Sequence, residues 1–226
     1  MINANKAYYG DIADNYERDR VVEPIWEREQ DFVRDYFSRL DMGTTILDAP
    51  IGTGRFVDFF LEKNMTVMGA DISADMLAKV RDKFKNNEKI KLFLGNVTSL
   101  PFPGNSIDYV ICWRLVHLLN SKDLNKMISE FGRIFRKELI IQTFEPRQEK
   151  KLPLASRLIR KIRKIKNLAL GKNEIKTWGD IKNFIHKKEE ISEILKIHNL
   201  KIKDNFVLGK DDPLNRERIY IVCHNS

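Results

Sequence analysis

The stretch Thr45-Ile46-Leu47-Asp48-Ala49-Pro50-Ile51-Gly52-Thr53-Gly54-Arg55 decides the fold of this chain. Thr45-Ile46-Leu47 reads as a short buried strand, and Phe56 to Glu62 as the helix that follows it. Between them Gly52 and Gly54 let the backbone turn sharply and approach a ligand with no Cβ in the way. Working outward, Thr66–Ala70, Ile90–Leu94, Ile107–Cys112 and Leu139–Phe144 are further apolar runs with strand character. Helical patterns separate them: Ser73 can cap a helix running to about Lys85, and another spans Asp123 to Phe135. Continuous apolar strands alternating with helices predict an α/β fold, a doubly wound, Rossmann-like, mostly parallel sheet covered on both faces.

Both ends of the chain depart from that alternation. A helix from about Lys188 to His198 leads to Leu200–Leu208 and then to Arg218–Cys223. Two strands joined by about nine residues pair antiparallel, because a parallel crossover needs a dozen or more. The sheet is therefore expected to have seven strands and to end in an antiparallel hairpin. At the other end, Ala4–Arg20 reads as one helix. A second begins at Pro24, with Ile25, Phe32, Val33, Tyr36, Phe37 and Leu40 on one stripe.

The chain of 226 residues, 42% hydrophobic and with a mean hydropathy of −0.40, suits a single domain with a sizeable core. We divide it into an N-terminal helical lid (1–40), a ligand-binding core (44–144), a basic helical insertion or cap after the fifth strand (147–188), and the last helix with the hairpin (189–226). The start lacks the apolar run of a signal peptide, and no stretch approaches the roughly 20 apolar residues of a membrane span. Cys112 and Cys223 read as reduced core thiols, so a cytoplasmic location is expected. The formal net charge of +8 is unevenly spread. Arg147–Lys188 holds fourteen Lys/Arg against three Asp/Glu, a local +11 that leaves −3 for the remainder.

In an open parallel sheet, ligands bind beyond the carboxyl ends of the strands where the strand order reverses, which is where residues 48–54 fall. A dinucleotide fingerprint, G-x-G-x-x-G, needs a third glycine at position 57, which is Val57. Asp48 would also repel a pyrophosphate at the helix N-terminus. It would instead attract a ligand bearing an ammonium and a sulfonium, the two cationic groups of S-adenosylmethionine (SAM). Asp71, at the end of the second strand, can accept hydrogen bonds from both ribose hydroxyls, or serve as a helix N-terminal charge. Asn96 can offer amide and carbonyl to an adenine edge, or be a turn residue.

In order, these segments resemble class I SAM-dependent methyltransferases, in particular small-molecule enzymes of the ubiquinone and glycine N-methyltransferase groups. Leu47–Gly54 is similar to that family's first motif and Gly69–Leu77 to its second. Gly95–Phe102 is similar to the adenine-binding segment, and Ile107–Val110 to the fourth strand. The resemblance spans roughly Tyr8 to Asn120, with a weaker match at the final hairpin. It implies SAM as cofactor and S-adenosylhomocysteine (SAH) as product. The binding residues it implies are Tyr9, Tyr16, Asp48, Ala49, Pro50, Gly52, Gly54, Arg55, Asp71, Ile72, Met76, Asn96, Val97 and Trp113. Two departures stand out: Pro50 where the first glycine usually lies, and Asn96 where an aspartate is common.

Methyl transfer from a sulfonium is an in-line displacement, so the protein must mainly align the acceptor and exclude water. A base is needed only if the acceptor must lose a proton. His117, Arg114 and Tyr16 are the candidate catalytic residues. By the resemblance His117 is a general base or acceptor-orienting group; otherwise it is a half-buried histidine at a helix start. Arg114 would hold an anionic acceptor or form an ion pair. Trp113 would cover the cofactor or fill core. Tyr9 and Tyr16, seven apart, share one helical face, suited to a lid or to packing. Around residues 152–170, Leu154, Leu158, Ile162, Ile165 and Ala169 form an apolar stripe flanked by Arg157, Arg160, Lys161, Arg163, Lys164 and Lys166. Such an amphipathic basic helix suits a membrane surface, placing the chain at the inner face of the membrane, or an anionic or lipid-linked acceptor. It equally suits a solvated cap. RNA is disfavoured, because no aromatic for base stacking occurs from Lys150 to Lys176. No metal site and no particular oligomeric state are expected. The leading reading is methyl transfer to an O or N atom of a small-molecule or lipid/phosphate-bearing acceptor. The alternative is a non-catalytic SAM-binding or basic interaction module that contacts a membrane surface or RNA.

Overall fold

The structure, a computed structural model, describes residues 24–85, 87–144, 184–209 and 217–225. In chain order these form α1 (Pro24–Ser38), β1 (Thr45–Asp48), α2 (Val57–Glu62), β2 (Thr66–Asp71) and α3 (Ala74–Lys83). Next come β3 (Ile90–Leu94), β4 (Ile107–Cys112), a 3₁₀ turn (Val116–Leu118), α4 (Ser121–Ile134) and β5 (Phe135–Phe144). After the insertion follow α5 (Lys188–Ile197), β6 (Leu200–Leu208) and β7 (Glu217–His224).

The seven strands lie in the order β3-β2-β1-β4-β5-β7-β6. Neighbours from β3 through β5 are parallel, whereas β7 runs antiparallel between β5 and β6. This is the expected doubly wound sheet closed by an antiparallel pair. Strand alternation divides the core between two faces. Ile46, Tyr109, Ile111, Ile219 and Ile221 point to the layer of α1, α2 and α3. Leu47, Val110, Cys112, Tyr220 and Val222 point to the layer of α4 and α5. Because both faces are covered, the central strands are apolar at nearly every position.

Helix ends follow local chemistry. Ser73 Oγ accepts the Met76 N–H at the start of α3, and Asn120 Oδ1 accepts the Asp123 N–H at the start of α4. The Asn120 cap sets the start of α4 at Ser121, two residues before the expected Asp123. α4 ends at Ile134, and Phe135 is already extended (φ −77°, ψ 148°). β5 therefore opens at Phe135, paired with Ile107, four residues earlier than the apolar run suggested.

α1 lies across the sheet and is fastened at both ends. Phe37 packs against Phe60 and Tyr109, and the Tyr36 hydroxyl donates to Glu138, a buried carboxylate that Lys203 also binds. Near its start, Glu29 reaches the site described below. Among the described residues, no helix is long and apolar enough to cross a membrane.

Candidate active site

The strand order reverses between β1 and β4, whose following loops part to opposite sides. A cleft occupies that point, with roughly 780 Å³ of space when the part open to solvent is counted. The loop after β1 contributes Asp48, Pro50, Ile51, Gly52, Thr53, Arg55 and Phe56. Asp71, Ile72 and Met76 come from the end of β2 and the start of α3. Trp113, Arg114, Leu115 and Leu118 follow β4, and Trp26 comes from α1.

The glycine loop is shaped by its own hydrogen bonds. Gly52 and Gly54 take φ of +55° and +78°, conformations that L side chains adopt only with strain. The Ile51 N–H donates to Ala70 O at 2.9 Å, and the Gly52 N–H donates to Asp71 Oδ2 at 2.9 Å. The Ser73 N–H donates to Asp71 Oδ1 at 2.9 Å. Each Asp71 oxygen is thus anchored by at least one backbone donor, so the carboxylate is rigid. Its remaining lone pairs can still accept from a ligand in the cleft.

Asp48 has a different environment. Only 2% of it is exposed, and the Asp71 carboxylate and the Arg55 guanidinium are its charged neighbours. Burial first, and the Asp71 charge second, push its pKa well above the usual carboxylate range, against a smaller opposing pull from Arg55. Such a carboxyl is stabilised in its charged form by an incoming cation. Asp71 is also raised, mainly by burial, with the Ser73, Gly52 and Ile72 backbone N–H groups opposing.

Beneath the cleft lies a buried polar network. Glu29 of α1, fully buried, accepts from Arg114 Nε at 2.9 and 3.1 Å and from Arg55 Nη1. The Arg55 guanidinium also covers the Trp26 ring at 3.6 Å and donates to the Trp26 carbonyl. The Arg114 N–H donates to Gln142 Oε1 at 2.9 Å, and Gln142 Nε2 donates to Glu217 Oε1 at 2.7 Å. Glu217 is fully buried beside Glu29, and its Oε2 has no hydrogen-bond partner among the described residues. Its pKa is pushed up to about 10, by burial first and by the Glu29 charge second. Glu29 itself is held below its ordinary value: burial opposes this, and the Glu217 hydrogen bond with the Arg114 and Arg55 charges outweighs it.

Of the binding residues read from the sequence, Asp48, Pro50, Gly52, Arg55, Asp71, Ile72, Met76 and Trp113 line the cleft, as does Arg114. Ala49 and Gly54 shape the loop from behind. Ala49 donates its N–H to Ile111 O, and a Cβ on Gly54 would sit 3.2 Å from Val80 and 3.3 Å from Phe84. Asn96 and Val97 are not part of the lining; Asn96 Oδ1 accepts from the Thr98 N–H and hydroxyl, making a local turn. His117 is also outside the lining. Its ring packs edge-on against Phe144 at 4.8 Å, and its carbonyl accepts the Phe184 N–H. Arg114 faces the cleft while its Nε bonds Glu29, so the ion-pair reading describes that nitrogen. Tyr9, Tyr16 and the basic helix of 152–170 lie outside the described residues. Among those described, no cluster of His, Cys, Asp or Glu could hold a metal ion.

Sequence reasoning missed Trp26, Glu29, Gln142 and Glu217. Glu29 had left a trace: it is a charge set inside the apolar stripe of Ile25, Phe32, Val33 and Tyr36. Nothing in the local sequence joins Glu29 to Glu217, because the two meet only when β7 inserts beside β5.

Residues 46–138 match a family model described as a methyltransferase domain. An uncharacterized methyltransferase of Geobacillus sp. is 26% identical over 130 residues, covering 55% of this chain and 59% of that protein. A demethylmenaquinone methyltransferase of Listeria welshimeri is 33% identical over 103 residues, covering 43% of each. The chain thus spans about half the length of the curated relatives it matches. Among solved structures, magnesium protoporphyrin IX methyltransferase from Synechocystis, crystallised with SAH, superposes with a TM-score of 0.69 at 17% identity, covering 97% of each chain. A 1,6-didemethyltoxoflavin-N1-methyltransferase of Burkholderia thailandensis gives 0.65 at 14% identity, covering 96% and 86%. The strand order, the carboxylate-flanked glycine loop and the matched domain agree: residues 46–138 carry the methyltransferase-domain pattern on the fold of those solved structures.

Proposed function

We propose that this protein moves a methyl group from SAM to an O or N atom of a small-molecule or lipid/phosphate-bearing acceptor. One observation carries the reading: a rigid carboxylate, Asp71, and a deeply buried one, Asp48, flank a positive-φ glycine loop at the sheet's switch point. Asp71 would hold ribose hydroxyls, and Asp48 would face the cationic end of the cofactor. Gly52, Ile72, Met76 and Trp113 would enclose it. Two structural neighbours crystallised with SAH support the choice of cofactor. Bound SAM supplies an electrophilic methyl group on a sulfonium, with a neutral thioether as leaving group.

The chain's own residues then have two tasks. Leu115, Leu118, Phe56 and the two tryptophans surround the site with apolar surface that excludes water and aligns an acceptor. Within this reading His117 is the acceptor-side base or orienting group, one residue from the cleft wall at Leu118. The basic segment is the element that meets an anionic acceptor or a membrane surface.

Titration calorimetry of the full chain with SAM, SAH and NAD tests the cofactor. Binding of SAM and SAH is expected; NAD binding without either would overturn the reading. With an accepted substrate in hand, His117→Ala is expected to lower single-turnover rates and leave SAH affinity near wild type. An unchanged rate would remove His117 from the chemistry.

A further inference from the structure

Arg114 is the residue on the cleft wall with the least expected backbone. Its φ is +52°, a left-handed conformation that costs a non-glycine residue free energy unless its surroundings hold it there. It is held by both its backbone and its side chain. The backbone N–H can only donate, so Gln142 must present Oε1 to it. That fixes the amide: Nε2 points the other way and donates to Glu217 Oε1. Glu217 Oε2 is buried, and no donor among the described residues reaches it. Its neighbour is Glu29, which already accepts from Arg114 Nε and Arg55 Nη1. Two carboxyl groups bond each other only if one carries a proton. Glu29 sits on two guanidinium groups and keeps the charge, so the proton belongs to Glu217.

We propose that Glu29, Gln142 and Glu217 are positioning residues. They form a hydrogen-bonded circuit that leaves Arg114 at its N–H, returns to it at Nε, and uses Glu217 as a neutral acid. The circuit sets the left-handed turn that aims Trp113, Arg114 and Leu115 at the cleft, and through Arg55 it ties the β1 loop to the same anchor. Its function in catalysis rests on the methyltransferase reading above.

Among the described residues, Glu29 faces Glu217 from α1, Arg114 from the β4 loop and neutral Gln142 from β5, while Arg55 of the β1 loop acts on Glu29. Its register partners, Phe144 on β5 and Leu208 on β6, bring no charge. A glutamine at 217 reproduces the same pattern, its oxygen accepting from Gln142 and its amide donating to Glu29. Alanine abolishes both bonds.

The test compares Glu217→Gln, Glu217→Ala and Glu29→Gln with wild type in the full chain. The first readout is SAH affinity by calorimetry at neutral pH. Glu217→Ala and Glu29→Gln are expected to weaken it about tenfold or more, and Glu217→Gln to restore it to within about threefold of wild type. The second is the thermal midpoint from pH 6 to 10. The Glu217→Gln midpoint is expected to rise relative to wild type as pH increases, because wild type must keep a proton that the glutamine variant lacks. A glutamine variant as impaired as the alanine one, or two parallel pH profiles, would overturn the neutral acid. Unchanged SAH affinity in Glu217→Ala would overturn positioning. If wild type bound no SAH, the methyltransferase reading would fail, while the pH profiles would still judge the circuit.

Discussion

At the scale of single residues, the two aspartates of the cleft have the same charge number and opposite preparation. Asp71 is pinned by the Gly52 and Ser73 N–H groups, so it presents fixed acceptors. Asp48 has burial and a neighbouring carboxylate against its charged form, which an incoming cation stabilises. The sign of the linkage follows. If the free protein carries a proton on Asp48 and the complex does not, SAM binding releases that proton and tightens as pH rises. Calorimetry in buffers of different ionisation heat is expected to show this release, and Asp48→Asn to abolish it while weakening SAM about ten- to a hundredfold. Equal heats in all buffers with wild type would contradict it. Cys112, by contrast, is fully buried against Met127, and burial pushes its thiol far up, so it is core and not a nucleophile.

At the scale of elements, the reading from sequence was closest where a strand or helix carries its own signal. β3 and β4 run over the residues their apolar content marked, and Ser73 caps α3 as its type and position indicated. The ends of α4 and β5 were less legible. Asn120-Ser121-Lys122-Asp123 is a capping sequence whose side chains close on one another, Asn120 Oδ1 accepting the Asp123 N–H and Nδ2 donating to the Asp123 carboxylate. Asn120→Ala is expected to cost about 1 kcal/mol in a denaturant titration and leave SAH binding near wild type. A change below about 0.3 kcal/mol would show that water replaces the cap. The polar start of β5, Arg136-Lys137-Glu138, hid a strand, because its first residues sit where the sheet meets solvent and only Phe135 and Glu138 turn inward.

For the whole molecule, α1 joins the fold to the site. Its Phe37 end packs on Phe60 and Tyr109, and its Trp26–Glu29 end forms the wall and anchor of the cleft. Phe37→Ala removes a fully buried ring and is expected to cost about 3–5 kcal/mol in a denaturant titration. A loss under about 1 kcal/mol would mean the layer collapses to fill the space. Three raised carboxyls, Asp48, Asp71 and Glu217, also give stability a direction with pH. Each contribution is fully present below the ordinary carboxylate pKa and is lost as pH rises through the folded value, which for Glu217 is about 10.

The sequence by itself determined the sheet class, the switch-point loop and the carboxylates at the ends of β1 and β2. Those features depend on residues within a few positions of one another, where periodicity, glycine freedom and charge sign act locally. Only the tertiary structure decided what lies beneath them. Glu29, Gln142 and Glu217 stand on three elements brought together by the antiparallel insertion of β7. A proton shared between side chains nearly two hundred positions apart leaves no local pattern to read. The same holds for His117, whose ring packs on Phe144, a contact between the 3₁₀ turn and the end of β5.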